Sequence, residues 1–97
     1  MSRTSVNWTA PANADLRNIN EWLTRETTPR FAIQTLAAIR FRAKFLEDFP
    51  RGARPLKDGT RILRVFGTPY LIRYRIVEEM VQVIRVHHER QDWLLDT

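Results

Sequence analysis

The fold of this chain is decided by the run Tyr70-Leu71-Ile72-Arg73-Tyr74-Arg75-Ile76-Val77. This run is the middle one of three strand-like segments, between Arg61–Phe66 and Met80–His87. Its connections to them, Gly67-Thr68-Pro69 and Glu78-Glu79, are too short for a helical crossover. Because parallel neighbours would need such a crossover, the three segments predict an antiparallel meander.

Alternation along the middle segment separates the two faces of this predicted sheet. One face receives Tyr70, Ile72, Tyr74 and Ile76, and the other receives Leu71, Arg73, Arg75 and Val77. We therefore expect the first face to pack against the core. The second face is expected to display guanidinium groups to an anionic partner.

The first half of the chain predicts a helical hairpin after a short strand, Val6-Asn7-Trp8. Thr9 precedes Ala10-Pro11 and is a suitable N-cap, and Thr27-Thr28-Pro29 can end one helix and cap the next. The second helix carries an apolar seam that steps by four and three residues and stops at Phe49-Pro50. The seam consists of Ala32, Leu36, Ile39, Ala43 and Leu46.

The order of these elements predicts an α+β fold, in which an N-terminal strand and a helical hairpin pack on a small, mainly antiparallel sheet. We expect residues 1–97 to form a single domain, because 97 residues provide one modest core. The chain has no cysteine, which excludes disulfides and thiolate metal sites. It has no apolar run of membrane-spanning length, so we expect a cytoplasmic protein.

Positive charge is concentrated in residues 51–75, where seven basic residues face one acid, Asp58, against a net charge of +5 for the whole chain. Arginine outnumbers lysine fourteen to two, and its planar fork suits bidentate contact with phosphate or carboxylate. The pattern favours nucleic acid or an acidic protein as partner, whereas the plainer interpretation is a solvated basic surface. Phe31, Phe41 and Phe45 widen the apolar surface of the second helix beyond its seam, either for the core or for a partner.

Common catalytic and metal-binding motifs are missing from the sequence. The two histidines, His87 and His88, are adjacent, so they alternate in direction and at most one can point into a given cleft. Their spacing relative to the acids does not match a zinc site, and we predict no metal and no cofactor. Trp93 either packs the tail onto the sheet or contacts a partner.

Ordered local signatures along nearly the whole chain resemble the RelE/ParE superfamily of toxins from bacterial toxin–antitoxin pairs, and within it the ParE branch. The matching segments are Val6-Asn7-Trp8-Thr9, Ala14-Asp15-Leu16 with Ile19, Leu46 with Phe49-Pro50 and Gly52, Arg61, Pro69–Ile76 and Arg85–Trp93. The resemblance implies a toxin neutralised by an acidic antitoxin encoded beside it. Such an antitoxin typically has a DNA-binding N-terminal half, here expected to be ribbon-helix-helix and ParD-like, and a partly disordered C-terminal half that folds over the toxin.

The two branches of the superfamily imply different chemistry. ParE-like toxins poison DNA gyrase, whereas RelE-like toxins cut mRNA in the ribosomal A site and need a base, an acid and cations around the scissile phosphate. If the chain were a nuclease, His88, Arg73 and Arg90 would be the candidates. Two departures argue against it: Leu71 stands where those nucleases usually carry an arginine, and their basic pair is only partly present as Arg61 and Arg64.

The sequence therefore predicts a ParE-like toxin that poisons gyrase by binding and forms a hetero-oligomeric complex with its antitoxin. The alternative is a ribosome-dependent endoribonuclease acting on mRNA, and a plain nucleic-acid-binding module fits the charge but not the resemblance. We expect the target to be bound by the basic sheet face and tail, through Arg73, Arg75, Arg85, His88, Arg90 and Trp93. For the antitoxin we expect contacts with Arg61, Arg64, Phe41 and Phe45.

Overall fold

A computed structural model describes residues 3–91 and 93, and in this part of the chain a helical hairpin packs on a five-stranded sheet. The helices are α1 (Ala10–Glu26) and α2 (Pro29–Asp48). The strands are β1 (Val6–Trp8), β2 (Arg54–Pro55), β3 (Arg61–Arg64), β4 (Tyr70–Val77) and β5 (Met80–His88). They lie in the order β1-β5-β4-β3-β2; β1 runs parallel to β5 and every other neighbouring pair is antiparallel. The predicted α+β fold is confirmed.

Threonine caps begin both helices, as the sequence predicted. The Thr9 hydroxyl accepts from the Ala12 N–H at 3.3 Å, and the Thr28 hydroxyl accepts from the Phe31 N–H at 3.1 Å. A proline stands in the first turn of each helix, where its missing N–H costs no hydrogen bond. The hairpin between the helices is therefore specified locally, before any packing.

The core lies between the helical hairpin and one face of the sheet. All five residues of the α2 seam are buried, and so are Tyr70, Ile72 and Tyr74 on the facing side of β4. Tyr74 is fully enclosed, and its hydroxyl donates to the Pro50 carbonyl at 2.7 Å. Burial raises the pKa of Tyr74, so the hydroxyl keeps the proton that this hydrogen bond needs.

The ends of β3 and β5 differ from the prediction by one or two residues. β3 stops at Arg64 instead of Phe66, because the Thr68 hydroxyl and N–H both donate to the Val65 carbonyl and close a turn there. β5 extends to His88. β2 was not predicted; it is a two-residue strand, Arg54–Pro55, in the segment before β3.

Beyond the end of β1, the N-terminal part of α1 forms hydrogen bonds with backbone groups of β5. The Thr9 N–H and hydroxyl donate to the Val83 carbonyl at 3.0 and 2.9 Å, and Asp15 accepts from the Val86 N–H at 2.8 Å. The register between β4 and β5 shifts by one residue at this point, because Arg73 pairs with Arg85 and Tyr74 pairs with Val83. Ile84 is therefore the extra residue of a β-bulge in β5. The helix side chains thus cover backbone groups that would otherwise form an exposed strand edge.

Replacing Ile39 by Ala should lower the free energy of unfolding by about 2–5 kcal/mol, since its side chain is 0 % exposed and the change leaves a cavity. Ile33 on the same helix is 67 % exposed, and Ile33→Ala should cost no more than about 0.5 kcal/mol. Urea denaturation of both variants measures the difference. Equal losses would mean that α2 does not bury the face described.

Candidate functional site

Arg73 is buried, which corrects the expectation that it is displayed on the sheet surface. The residue is 4 % exposed, and its guanidinium donates to Asp58 Oδ2 at 3.0 Å, Thr60 Oγ1 at 3.1 Å and the Trp93 carbonyl at 3.4 Å. The loop that leads into β3 brings Asp58 and Thr60 to this face of the sheet, beside β4. Arg73 therefore holds a loop and the tail in place, and its charge is matched inside the chain.

Asp58 is the anionic centre of this network. Hydrogen bonds from the Thr60 hydroxyl and N–H to Oδ1, at 2.6 and 3.0 Å, are the main cause that lowers the pKa of Asp58, with the charge of Arg73 contributing in the same direction. Desolvation acts in the opposite direction but does not prevail. Asp58 is the one acid of the basic segment, and its carboxylate is used structurally.

The other predicted target-binding arginines divide into paired and unpaired groups. Arg85 forms a bidentate ion pair with Asp15 of α1, at 2.7 and 3.0 Å, which the prediction of a solvent-facing cation missed. Arg75 is exposed and donates to Gln82 at 2.8 Å. Arg90 is also exposed. Within residues 3–91 and 93, neither Arg75 nor Arg90 has a carboxylate within ion-pair distance.

His87 and His88 point to opposite sides of the sheet, as their adjacency predicted. His87 is buried beside the tail, where its ring stacks on Trp93 with centroids 6.0 Å apart. His88 lies on the helix side in edge contact with Tyr70, 5.5 Å between centroids, and lines a cavity of about 450 Å³. His88 was expected on the basic sheet face, and that expectation is wrong. Tyr70 of β4 pairs with His88 of β5, so the two side chains lie on the same face of the sheet, the one that meets the helices.

The three candidate nuclease residues are consequently not brought together. Arg73 is enclosed on the face that carries Asp58 and Trp93, whereas His88 faces the helices across the thickness of the sheet. Arg90 lies in the exposed turn after β5, and its N–H donates to His88 Nδ1 at 3.1 Å. A general base and its cations must meet within hydrogen-bond reach of one phosphate, and this arrangement does not provide that geometry.

The predicted antitoxin-binding residues are also dispersed. Arg61 donates to the Arg51 and Ala53 carbonyls at 3.4 and 2.9 Å, so it organises the loop before β3. Arg64 pairs with Glu89 at 2.9 Å. Phe45 is partly buried and stacks on Phe49, with centroids 5.0 Å apart. Phe41 differs from these three residues, because its side chain is 78 % exposed.

Phe41 belongs to a groove between the two helices, here called the helical groove, of about 890 Å³. Ile33, Ala37 and Phe41, spaced four residues apart on α2, give it an apolar wall, and Arg17, Arg40 and Lys44 stand along it. Sequence reasoning singled out Phe41 but missed Ile33. The four-residue step from Ile33 to Phe41, outside the buried seam, was the signal that could have found the groove.

Among the described residues, no group of three or more histidine, aspartate or glutamate side chains is arranged to hold a metal ion. In the same part of the chain no helix is long and apolar enough to cross a membrane.

The sequence and the fold together place this chain in one class of protein, the toxins of type II toxin–antitoxin systems. Residues 6–93 match the family described as ParE toxin of type II toxin-antitoxin system, parDE, and the chain belongs to that family. This confirms the membership of the RelE/ParE superfamily that the local signatures predicted.

Relatives and solved structures agree with this assignment. The chain is 32 % identical to Y4kP of Sinorhizobium fredii, which is named as a candidate toxin, over 96 % of each chain. It is 30 % identical to Toxin RelE2 of Caulobacter vibrioides, over 86 % of this chain and 92 % of the relative. In the chromosomal ParDE system from P. aeruginosa, a chain with 27 % identity superposes with a TM-score of 0.82, covering 89 % of this chain and 96 % of that one.

A second solved structure is the toxin–antitoxin complex RelBE2 from Mycobacterium tuberculosis. A chain of that complex is 30 % identical, with a TM-score of 0.66 and coverage of 89 % of this chain and 98 % of that one. Both solved structures come from toxin–antitoxin systems, which supports an antitoxin partner for this chain.

The Asp58–Arg73 pair should make folding stability depend on pH at the acidic end. Since the pKa of Asp58 is lowered on folding from its ordinary value of 3.8, its contribution is fully present above that value and is lost as pH falls through the folded-state pKa. Asp58→Asn should lower the melting temperature at pH 7, and the gap to the wild type should narrow progressively as pH falls below 3.8. Asp48→Asn, at an exposed carboxylate, is the matched control and should show little change over the same pH range. Absence of any gap between Asp58→Asn and the wild type at pH 7 would contradict this role.

Proposed function

We propose that this ParE-family toxin poisons DNA gyrase by binding and is silenced by a cognate, acidic, ParD-like antitoxin. The observation that carries the proposal is the separation of His88 from Arg73 by the thickness of the sheet, with Arg73 already paired to Asp58. Leu71, in the position where a RelE-like nuclease would hold phosphate with an arginine, is 5 % exposed and apolar. Both features disfavour ribonuclease chemistry and leave binding as the mode of action, in the cytoplasm where gyrase works.

The sheet face that carries Arg73 is also the proposed target surface. Arg75 is exposed on that face, Arg90 is exposed in the turn that follows β5, and Trp93 packs beside them on His87. Arg75 and Arg90 can meet carboxylates or phosphates on the target without losing a partner of their own, since neither is engaged by an acid of the described chain. Arg73 and Arg85 instead support this surface from within.

The helical groove is the proposed main surface for the antitoxin. An amphipathic helix would place apolar side chains against Ile33 and Phe41, and its acidic side chains would meet Arg17, Arg40 and Lys44. The groove is concave, mostly apolar and edged by one sign of charge, which suits an acidic segment that folds as it binds. Because this groove and the target surface lie on opposite faces of the sheet, neutralisation would require the antitoxin to extend beyond the groove or to block access sterically.

In cells, expression without the antitoxin should produce double-strand DNA breaks, an SOS response and filamentation, while protein synthesis initially continues. Pulse labelling of new protein beside an SOS reporter measures both. If protein synthesis stops first and mRNA is cut at codon positions within ribosomes, the RelE-like alternative is correct instead. His88→Ala would then lower cleavage by about 10²–10⁴-fold, whereas the gyrase proposal predicts that His88→Ala stays toxic.

Arg75→Glu and Arg90→Glu should each reduce toxicity strongly while the melting temperature stays near that of the wild type, because both side chains are exposed. Arg73→Glu should lose toxicity together with the fold, since it would place two carboxylates against each other at a buried site. Arg25→Glu, an exposed position near the end of α1, is the charge-matched control. Full toxicity of both Arg75→Glu and Arg90→Glu would exclude this face as the working surface.

Ile33→Glu and Phe41→Glu should weaken antitoxin binding by roughly 30-fold or more, since each removes an apolar contact from the helical groove and adds a charge of the antitoxin's own sign. Toxicity in the absence of antitoxin should persist. Titration calorimetry with the purified antitoxin gives the dissociation constants. Wild-type affinity for both variants would mean that the antitoxin docks elsewhere.

A further inference from the structure

A second concave surface, separate from the helical groove, lies where the hairpin of helices meets the β3–β4 turn. We call it the aromatic pocket: its rim consists of Trp22, Phe31 and Phe66, and its interior includes Leu23, Thr35, Tyr70 and His88. The three rim rings are 51 %, 51 % and 70 % exposed, although the interior residues Leu23, Thr35 and Tyr70 are buried. The volume of about 450 Å³ lies within the range of sites that enclose a ligand or an anchoring side chain.

The pocket is held open by Arg42. Its guanidinium lies between the rings of Phe45 and Phe66, 4.7 and 4.6 Å from their centroids. Its Nε–H donates to the Arg64 carbonyl at 2.8 Å, which fixes the end of β3 against α2. Held in this way, Phe66 forms a wall instead of folding inward. A site that is already formed loses less conformational entropy on binding.

Besides Thr27, Gln34, Thr35 and Thr68, the lining of the pocket carries two ring-borne polar groups, on His88 and Tyr70. His88 Nδ1 accepts the Arg90 N–H, so in the neutral ring the proton is on Nε2, which makes Nε2–H a donor. The Tyr70 hydroxyl has no hydrogen-bond partner among the described residues, and burial raises the pKa of Tyr70, so it also remains a donor. The His88 Nε2–H and the Tyr70 hydroxyl can both donate to an occupant that supplies carbonyl or carboxylate oxygens.

One cation is fixed at the wall of the pocket, since the Arg42 guanidinium lies over the Phe66 ring. Glu21 and Glu26 precede Trp22 and Thr27 in the chain, and Arg30 precedes Phe31. The nearby acid Glu89 is already paired with Arg64. The aromatic rim suits an apolar side chain, and the Arg42 guanidinium at the wall suits an acidic chain that carries it.

We propose that the aromatic pocket receives a large apolar side chain from the acidic segment of the antitoxin, with an adjacent carbonyl or carboxylate of that segment bonded to His88. The inference rests on the antitoxin partner of the proposed function and adds to the helical groove a second anchoring point on the other flank of α2. The two sites together would make one antitoxin segment cross α2, passing from Ile33 and Phe41 towards Phe31.

Trp22 gives a direct test, because its half-exposed ring is part of the rim. The toxin is labelled with 5-fluorotryptophan, and the ¹⁹F resonance of Trp22 is assigned with Trp22→Phe. On addition of the purified antitoxin, the Trp22 resonance should shift and lose accessibility to a soluble paramagnetic quencher. If the complex forms and the Trp22 resonance stays unchanged and accessible, the pocket is not the anchoring site, although the antitoxin proposal itself would stand. If no complex forms, both proposals fail.

Variants measure the contribution of the pocket to affinity. Phe31→Ala and Phe66→Ala should weaken antitoxin binding by about 10–100-fold, and Ala38→Trp should do the same by filling the cavity without removing any contact. Val77→Ala, at a partly exposed apolar residue of β4 outside both the pocket and the helical groove, is the control and should bind normally. Melting temperatures near the wild type exclude unfolding as the cause.

Wild-type affinity for Phe31→Ala, Phe66→Ala and Ala38→Trp would overturn the inference. So would a Trp22 resonance that responds to a single-stranded oligonucleotide and not to the antitoxin, since the occupant would then be a nucleic-acid base.

Discussion

The antiparallel pairing of β4 with β5 is the constraint on which the rest of the structure depends. Eight register pairs, from Tyr70 with His88 to Val77 with Met80, fix which side chains reach the helices and which reach the opposite face. Strict alternation then sends Ile72 and Tyr74 into the core and Arg73 to the other side. The same rule separates His87 from His88. A one-residue slip would exchange the two faces, so the register determines the chemistry as well as the core.

Much of the positive charge of the chain supports its own architecture. Arg73 binds a loop and the tail, Arg85 binds α1, and Arg42 secures the β3–β4 turn. Arginine is better suited than lysine to contacts of this kind, because its planar guanidinium carries several donors. These contacts therefore account for part of the excess of arginine over lysine in the chain. Other cations are exposed and lie in separate places: Arg75 and Arg90 on the proposed target surface, Arg17, Arg40 and Lys44 along the helical groove, and Arg51, Arg54 and Lys57 before β3.

The fold could be predicted from the sequence because its signals are local. Thr9 and Thr28 cap their helices, the α2 seam repeats every three or four residues, and two short connections force the meander. The arrangement of the site could not be predicted in the same way. Whether Arg73 is displayed or enclosed depends on a loop fifteen residues away, at Asp58, and the pairing of Arg85 with Asp15 spans 70 residues. The bulge at Ile84 likewise has no marker such as glycine in the sequence. Contacts of this range are set by packing, which alternation and periodicity do not encode.

The central claim, action on gyrase by binding without a nuclease centre, is tested most directly with purified components. The toxin is incubated with DNA gyrase, ATP and closed circular plasmid, and linear DNA is quantified after the protein is denatured and digested. A parallel reconstituted translation reaction is assayed for cut mRNA. The account predicts that linear plasmid accumulates only when both gyrase and toxin are present and that mRNA stays intact. Intact plasmid together with mRNA cut on the ribosome would contradict it.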